Sequence, residues 1–361
     1  MRNTHDGAPR QVAQPTLTVA AGQAVWRAMF DEVNAGRLFA PQLASTAFRL
    51  ALLSIGFAAA LAFGWAGGAA RGPDAVAAVP LVAIVIASVA LALLIAQFAF
   101  VGHDAGHGAI DRRPAVNRAI GQFAMTLVTG LAFDEWIARH RAHHRHCQDE
   151  ARDPDMAVDF VVSLTHRSLE RKGRIGRWLT RRQAVLIWPV SLLFGHSQRW
   201  LSQAAVLAQP RRNRLDAVAL AAHYALWFAL PCWALDVPPA QAAVVYLLPL
   251  TLLGPYLAAI FWVNHIGMPL VEKAQAFSFL EHQAVTSRTI IAAPGWNWVF
   301  GGLNFQVEHH LFPKLPSRRL AAVQPIVQRH LQSHRVPYHA VRWPAALRAV
   351  GAHLHDVARA A

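Results

Sequence analysis

The sequence predicts an all-α polytopic membrane protein: four transmembrane helices in two hairpins, interfacial helices, and a cytoplasmic lobe dense in histidine. Three observations carry that reading. Of 361 residues, 55% are hydrophobic and 15% charged, against about 45–50% and 25% in an ordinary soluble domain, and the mean hydropathy is +0.28. Four uncharged apolar runs reach the length of about 20 residues that crosses a bilayer core. There are also 19 histidines, so something is using imidazole. Disorder and a disulfide scaffold are excluded. Cys147 and Cys232 lie in unlike segments, and neither a disulfide nor a thiolate metal site can be read from them. The net charge of +14 would suit nucleic acid only as a patch on a soluble domain, and here the basic residues follow membrane topology instead.

In chain order, residues 1–48 form a cytoplasmic N-terminal segment. Their apolar residues never run into an h-region after a basic start, so no signal peptide is expected and the first span acts as the membrane signal. The membrane body covers 49–263. Its first span, 50–68, follows Arg49 and stops before Arg71; its second, 75–101, is uncharged, and a short Gly/Arg/Pro turn joins them. Within the loop 102–214, the apolar stretches 119–133 and 184–194 are too short to span and are expected to lie at the interface or re-enter it. The second hairpin, 217–235 and 240–263, turns through Asp236, Pro238 and Pro239, and a lobe covers 264–361. Of the 34 Lys and Arg residues, four precede Arg49, eighteen lie between Gly102 and Arg214, ten follow Val263, and the hairpin turns hold only Arg71. The positive-inside rule therefore places both termini and the central loop in the cytoplasm.

With the spans placed, the histidines fall into groups. His103 and His107, in HDAGH, share one helical face where the second span ends. His140, His143 and His144, in HRAHH, lie on one side of a helix ending the first interfacial stretch, with His146 left to a solvated basic face. His309 and His310 follow Gln306 in GGLNFQVEHHLFPKLP, where Gly301 and Gly302 allow close backbone approach and Pro313 and Pro316 stop the helix. All three groups fall on one side of the membrane. His265, in NHIGM at the exit of the fourth span, is placed to join them, and its neighbour Asn264 is suited to hold a bound water. Seven imidazoles exceed the three or four that zinc takes. Imidazole also suits iron, and two ions could share this set with positions left open.

HDAGH, HRAHH and GGLNFQVEHHLFP, in that order and spacing, resemble the three histidine boxes of the membrane fatty acid desaturases. The similarity is to the acyl-lipid or linoleoyl-CoA-type branch, whose third box opens with Gln, and it runs from about Val101 to His339. It implies a non-haem di-iron centre that uses dioxygen and two electrons to take two hydrogens from a lipid-linked or CoA-linked acyl chain, leaving a cis double bond. The iron ligands it implies are His103, His107, His140, His143, His144, His309 and His310, with His265 added. Gln306 stands where other members carry histidine, and Asp104, Asp153, Asp155 and Glu308 are expected to orient ring N–H groups. A di-iron lipid or carotenoid hydroxylase or ketolase is the alternative. A haem or metal membrane protein is more distant, because only His223 sits mid-span and the spans offer almost no other polar groups.

Neither a dinucleotide fingerprint, a Cys cluster nor a fused His-Pro-Gly-Gly signature occurs, so a separate electron donor, a ferredoxin or cytochrome b5-like carrier, is expected. The basic loop from Arg167 to Arg182 could dock such a carrier, although contact with lipid headgroups is the simpler reading. Trp136, Trp262, Trp296 and Trp298 lie near the boxes and suit an interfacial belt more than a channel lining.

Overall fold

The computed structural model describes residues 13–66, 78–157, 162–272 and 276–361. The Gly/Arg/Pro turn and the start of the second predicted span, 75–77, lie outside the described residues. In chain order the helices are α1 (Val19–Ala35), α2 (Leu43–Ala66), α3 (Ala78–Gly106), α4 (Pro114–Gly121), α5 (Phe133–His146), α6 (His166–Glu170), α7 (Arg174–Thr180), α8 (Gln183–Ser191), α9 (Phe194–Ala208), α10 (Arg214–Tyr224), α11 (Leu230–Ala234), α12 (Pro239–His265), α13 (Phe279–Thr286), α14 (Gln306–Leu311), α15 (Leu320–Ser333) and α16 (Trp343–Arg359). Two short strands, β1 (Thr289–Ile291) and β2 (Ala340–Arg342), pair in parallel with Ile290 opposite Val341.

Four helical segments among these residues are long and apolar enough to cross a membrane: Leu43–Ala66, Leu81–Gly106, Arg214–Ala234 and Pro239–His265. Each coincides with a predicted span but differs at its ends. Hydropathy marks only the apolar part of a helix, whereas backbone hydrogen bonding carries α3 through His103 and α12 to His265. The third span is interrupted. Pro231 has no N–H to donate four residues back, and a π-helical turn at Ala225–Ala229 precedes it, between α10 and α11.

The two interfacial stretches also differ from expectation. The first is three pieces: α4, a π-helical segment Gln122–Thr129, and then α5, which carries HRAHH as a separate helix. Gly130 makes the break with φ +72, a left-handed conformation that closes the preceding turn through N–H bonds back to Met125 and Thr126. The second runs on through α8 into α9, and Val185, Leu193, Trp200, Leu201 and Leu207 are exposed along the pair.

The chain divides into two compact units. One comprises Phe39–Arg139 and Ile187–Ala259; the other comprises Met1–Leu38, His140–Leu186 and Ile260–Ala361. In the first, α2 lies along α3 over a core of Leu53, Phe98, Val101, Ala105, Ile110, Ala124 and Val128. Arg49, at the head of the first span, donates to Gln97 at 2.7 Å. After the HDAGH turn, Asn117 Oδ1 accepts from Ile110 and Asp111 N–H while its amide donates to Asp111 O at 2.6 Å, pinning the chain that follows α3.

In the second unit, α1 packs on α13 and α15. Glu281 ties the chain before α1 to α13 by accepting from the backbone of Thr16 (2.7 Å) and Leu17 (2.9 Å). The buried stripe of α15, Leu320, Val323, Val327 and Leu331, follows helical period and faces the core. The strand pair joins the two ends of residues 292–339, which hold the third histidine group.

Candidate metal centre

Three elements of the second unit bring six imidazoles together. The last two turns of α5 supply His140, His143 and His144, the final residue of α12 is His265, and the short α14 supplies His309 and His310. His144 Nε2 lies 3.1 Å from both His140 Nε2 and His309 Nε2. The His144 and His310 rings stack with centroids 4.2 Å apart, and His143, His265 and His310 lie mutually within 4.9–5.3 Å. The ligand atoms of His140, His144 and His309 lie within 4.8 Å of one another, as do those of His143, Cys147, His265 and His310.

The outer nitrogens explain the ring orientations. His143 Nδ1 donates to Asp153, at 3.0 and 3.1 Å from its two oxygens, with the exposed Asp155 at 3.5 Å. His310 Nδ1 donates to Gln283 Oε1 at 2.8 Å, and Gln283 in turn donates to His144 O at 3.1 Å. His265 Nδ1 donates to Thr286 O at 3.0 Å. For His265 and His310 the bond puts the lone pair on Nε2, and on His143 it leaves Nε2 as the nitrogen from which a metal would displace a proton. His310 Nε2 is buried and has no hydrogen-bond partner. A buried acceptor left open among five other imidazoles fits a cation, and a nitrogen-rich set of this size suits iron.

Burial alone would push His143 down, but Asp155 and Asp153 outweigh it and raise the ring to about 9. Asp153 is held below the usual carboxylate range despite its own burial, chiefly by the hydrogen bond from His143. Burial and the surrounding imidazoles push His310 well below the ordinary histidine value, leaving it neutral.

Gln306 donates to His265 Nε2 at 2.9 Å, and its carbonyl oxygen accepts from Asn264 Nδ2 at 3.2 Å, so the amide holds a histidine ring. Asn264 also donates to Leu303 O at 3.2 Å, while its own Oδ1 is buried without a partner. Glu308 is spent elsewhere than on a histidine: it accepts from Thr289 Oγ1 and Tyr338 Oη, both at 2.7 Å, tying α14 to the strand region. Its burial raises the carboxyl.

The other unit holds the first histidine group. His103 and His107 have ring centroids 4.7 Å apart, Asp104 Oδ1 lies 3.7 Å from His103 Nδ1, and the Trp136 ring lies 5.8 Å from that of His103. Gly106, within HDAGH, lets α5 approach, since a Cβ there would press into Ile137. The start of α5 is capped from far along the chain. Asp216, buried in the first turn of α10, accepts from the N–H groups of Phe133 (3.0 Å) and Asp134 (3.1 Å) and from Thr126 Oγ1 (2.8 Å).

Several residues of this arrangement escape the sequence reading. Cys147 is one: its Sγ lies 3.4 Å from His265 Nδ1, and its place one turn after His143 was the available signal. Gln283, Thr286 and Asp216 act through contacts distant in sequence and carry no local pattern. Among the remaining histidines, His282 and His353 bind the carbonyls of Cys147 and Leu164, both at 2.8 Å. Trp296 and Trp298 are exposed.

A family model for fatty acid desaturases matches residues 78–342. The chain belongs to the fatty acid desaturase family. With its four apolar helices, this family member is a membrane protein. It is 29% identical over 270 residues to "Delta(8)-fatty-acid desaturase 1" of Arabidopsis thaliana, covering 72% of this chain and 60% of the relative. It is 27% identical over 266 residues to "Acyl-lipid (9-3)-desaturase" of Borago officinalis, covering 67% and 56%. To "Acyl-lipid (8-3)-desaturase" of Thraustochytrium sp it is 29% identical over 266 residues, covering 72% and 59%. The chain thus spans under two thirds of the length of these curated relatives.

Proposed function

We propose that this chain introduces a cis double bond into a lipid-linked fatty acyl chain, at two non-haem iron ions held by His103, His107, His140, His143, His144, His265, His309 and His310. The observation that carries the reading is the group of six imidazoles in one unit, with outer nitrogens tied and an inner one, His310 Nε2, left open, in a chain of this family. The overall change takes two hydrogens from adjacent methylenes and consumes one dioxygen, two electrons and two protons, giving the alkene and two waters. An unactivated methylene has neither an acidic proton nor a leaving group, so side-chain acid–base or nucleophilic chemistry cannot begin the reaction. Bound iron would supply the oxidising power for cleaving those C–H bonds with dioxygen.

The protein's own groups orient and exclude. Asp153, Gln283 and Thr286 hold three rings by Nδ1, an ion taken by His265 would replace the Gln306 hydrogen bond on its Nε2, and Asn264 Oδ1 offers an acceptor for a water beside His265. Two relatives are named for acyl-lipid desaturation, which supports a lipid-linked substrate over a CoA-linked one. A separate ferredoxin or cytochrome b5-like carrier supplies the electrons, and the exposed Arg167, Arg171, Arg174 and Arg177 suit an acidic partner. Both termini lie in the cytoplasm under the positive-inside rule.

The test is expression in a host of simple lipid profile, with gas chromatography and mass spectrometry of fatty acid methyl esters beside a His143→Ala control. A new unsaturated species absent from the control is expected. Hydroxylated or keto products, or an unaltered profile from a protein that carries iron and is supplied with a carrier, would overturn the reading.

A further inference from the structure

Cys147 is fully buried just past the end of α5, one helical turn after His143. The chain that follows it is held against the end of α12. Gln148, at φ +60, donates from Nε2 to the carbonyls of His265 (2.7 Å) and Met268 (3.1 Å), and His282 Nε2 donates to Cys147 O at 2.8 Å. These bonds leave Cys147 Sγ 3.4 Å from His265 Nδ1, and both groups point at Thr286 O, 3.9 and 3.0 Å away. One donor atom each from His143, Cys147, His265 and His310 lies within 4.8 Å of the other three. Of these residues, His310 has its Nε2 buried without a hydrogen-bond partner.

Three nitrogens and a sulfur at this spacing make the donor set of a four-coordinate ion. With bonds of about 2.3 Å to sulfur and about 2.0–2.1 Å to nitrogen, two donors on a tetrahedral ion stand about 3.5 Å apart. The distance from Cys147 Sγ to His265 Nδ1 matches it. Sulfur also changes which ion is preferred, because thiolate favours zinc, and zinc stands above ferrous iron in the general order of affinity. We propose that Cys147, with His143, His265 and His310, forms a binding site for zinc that shares three imidazoles with the proposed iron centre. Zinc displaces one proton from the Cys147 thiol and one from His143, and the Nδ1 proton of His265 moves to Nε2, where the Gln306 amide, turned over, accepts it. Thr286 O gives up its two donors, a small loss beside four metal–ligand bonds. Asp155, exposed and 3.5 Å from His143 Nδ1, offers an arriving cation its first contact from solvent. Zinc bound in this way closes three rings to iron. That consequence rests on the proposed function, whereas the zinc site does not.

The test uses the full chain in detergent, stripped of metal and with its cysteines reduced. Cobalt(II), a coloured stand-in for zinc, should give an intense near-ultraviolet thiolate-to-metal band together with the visible bands of a tetrahedral ion. Cys147→Ser should lose the near-ultraviolet band. The same variant should bind zinc more than about 100-fold more weakly, beyond the effect of losing an outer hydrogen bond, in competition with a chromophoric chelator, while iron bound per chain stays at the wild-type level. Cys232→Ser should keep both the band and the affinity. The chain has 2 cysteines, so a band retained in Cys232→Ser assigns the sulfur to Cys147 even if Cys147→Ser fails to fold. No band in the wild type, its persistence in Cys147→Ser, its loss in Cys232→Ser, or equal zinc affinity in the wild type and Cys147→Ser would overturn the proposal. Zinc added to the iron-loaded chain should release iron, and zinc that binds without releasing it would overturn the sharing of the three imidazoles. A chain that gives the band yet takes up no iron would support the zinc site and overturn the iron centre instead.

Discussion

In the unit that carries the second and third histidine groups, His143, His265 and His310 each commit Nδ1 to an acceptor, Asp153, Thr286 O and Gln283 in turn; Nε2 of His265 accepts from Gln306, and Nε2 of His310 is left open. In the other unit the buried acceptors are turned onto the backbone that broken helices leave open. Asp216 covers the first N–H groups of α5, and Thr126, inside the π-helical segment, joins the same carboxylate. Both units bury polar side chains, and what distinguishes the histidine group of the second unit is the lone pair of His310 Nε2, left open beside rings whose Nδ1 is tied. Burial of polar groups therefore does not by itself reveal a site. An open lone pair among other donor atoms does.

That contrast can be broken by experiment. Replacing His310 with Ala should reduce product to background and lower the iron bound per chain, while the metal-stripped protein unfolds close to the wild type. If the stripped variant were the less stable of the two by more than the Asp216 variant described next, the histidines would be packing elements and the contrast would collapse. Asp216→Ala should do the reverse. The half-buried Asp134 N–H and the buried Thr126 hydroxyl lose their acceptor, at about 1–3 kcal/mol each, while the Phe133 N–H keeps Thr126 Oγ1 at 3.0 Å; the loss is read as a lower unfolding midpoint in detergent, with iron per folded chain unchanged at saturation.

A smaller effect is expected for Asp153→Asn, which keeps the shape but loses the carboxylate that orients His143. Iron affinity should fall by about 10- to 100-fold, measured by competition with a chelator; an unaltered affinity would detach Asp153 from the centre. The smallest concerns Glu32, which joins α1 to α15 by accepting from Arg329 and from His330 at 3.0 Å. The Arg329 hydrogen bond, and then that of His330, hold its carboxyl below the usual value of 4.5. A lowered folded-state pKa means the stabilisation is present above 4.5 and disappears as pH falls through the folded value. Glu32→Gln should accordingly lower the melting temperature slightly at pH 7 and not at the acid end of that range. A difference that persists in acid would show that the contact is not electrostatic.

The spans and the three histidine groups were legible because each rests on a local pattern: an apolar run, or imidazoles repeating at helical spacing. The breaks were not. Gly130 reads as one more glycine in an apolar stretch, and its left-handed turn follows from the carbonyls of Met125 and Thr126 that it must cap. The π-helical turn before Pro231 appears only when the backbone bonds are traced. Asp216, Gln283 and Thr286 act across 21 to 83 residues from partners that share no period with them. Glu308 misled in the opposite sense, since its place beside His309 and His310 suggested ring orientation, whereas Thr289 and Tyr338 take both of its oxygens.

The parallel pairing of β1 with β2, reinforced by the Thr289 N–H bond to His339 O at 2.8 Å, sets an order of events during synthesis. The segment bearing His309 and His310 leaves the ribosome as an open length of chain, and its ends are buckled together only when residues 340–342 have emerged. Ribosome-bound chains shorter than this hold the second histidine group without the third in place. The third histidine group is in consequence fixed beside the second only after residues 340–342 are made.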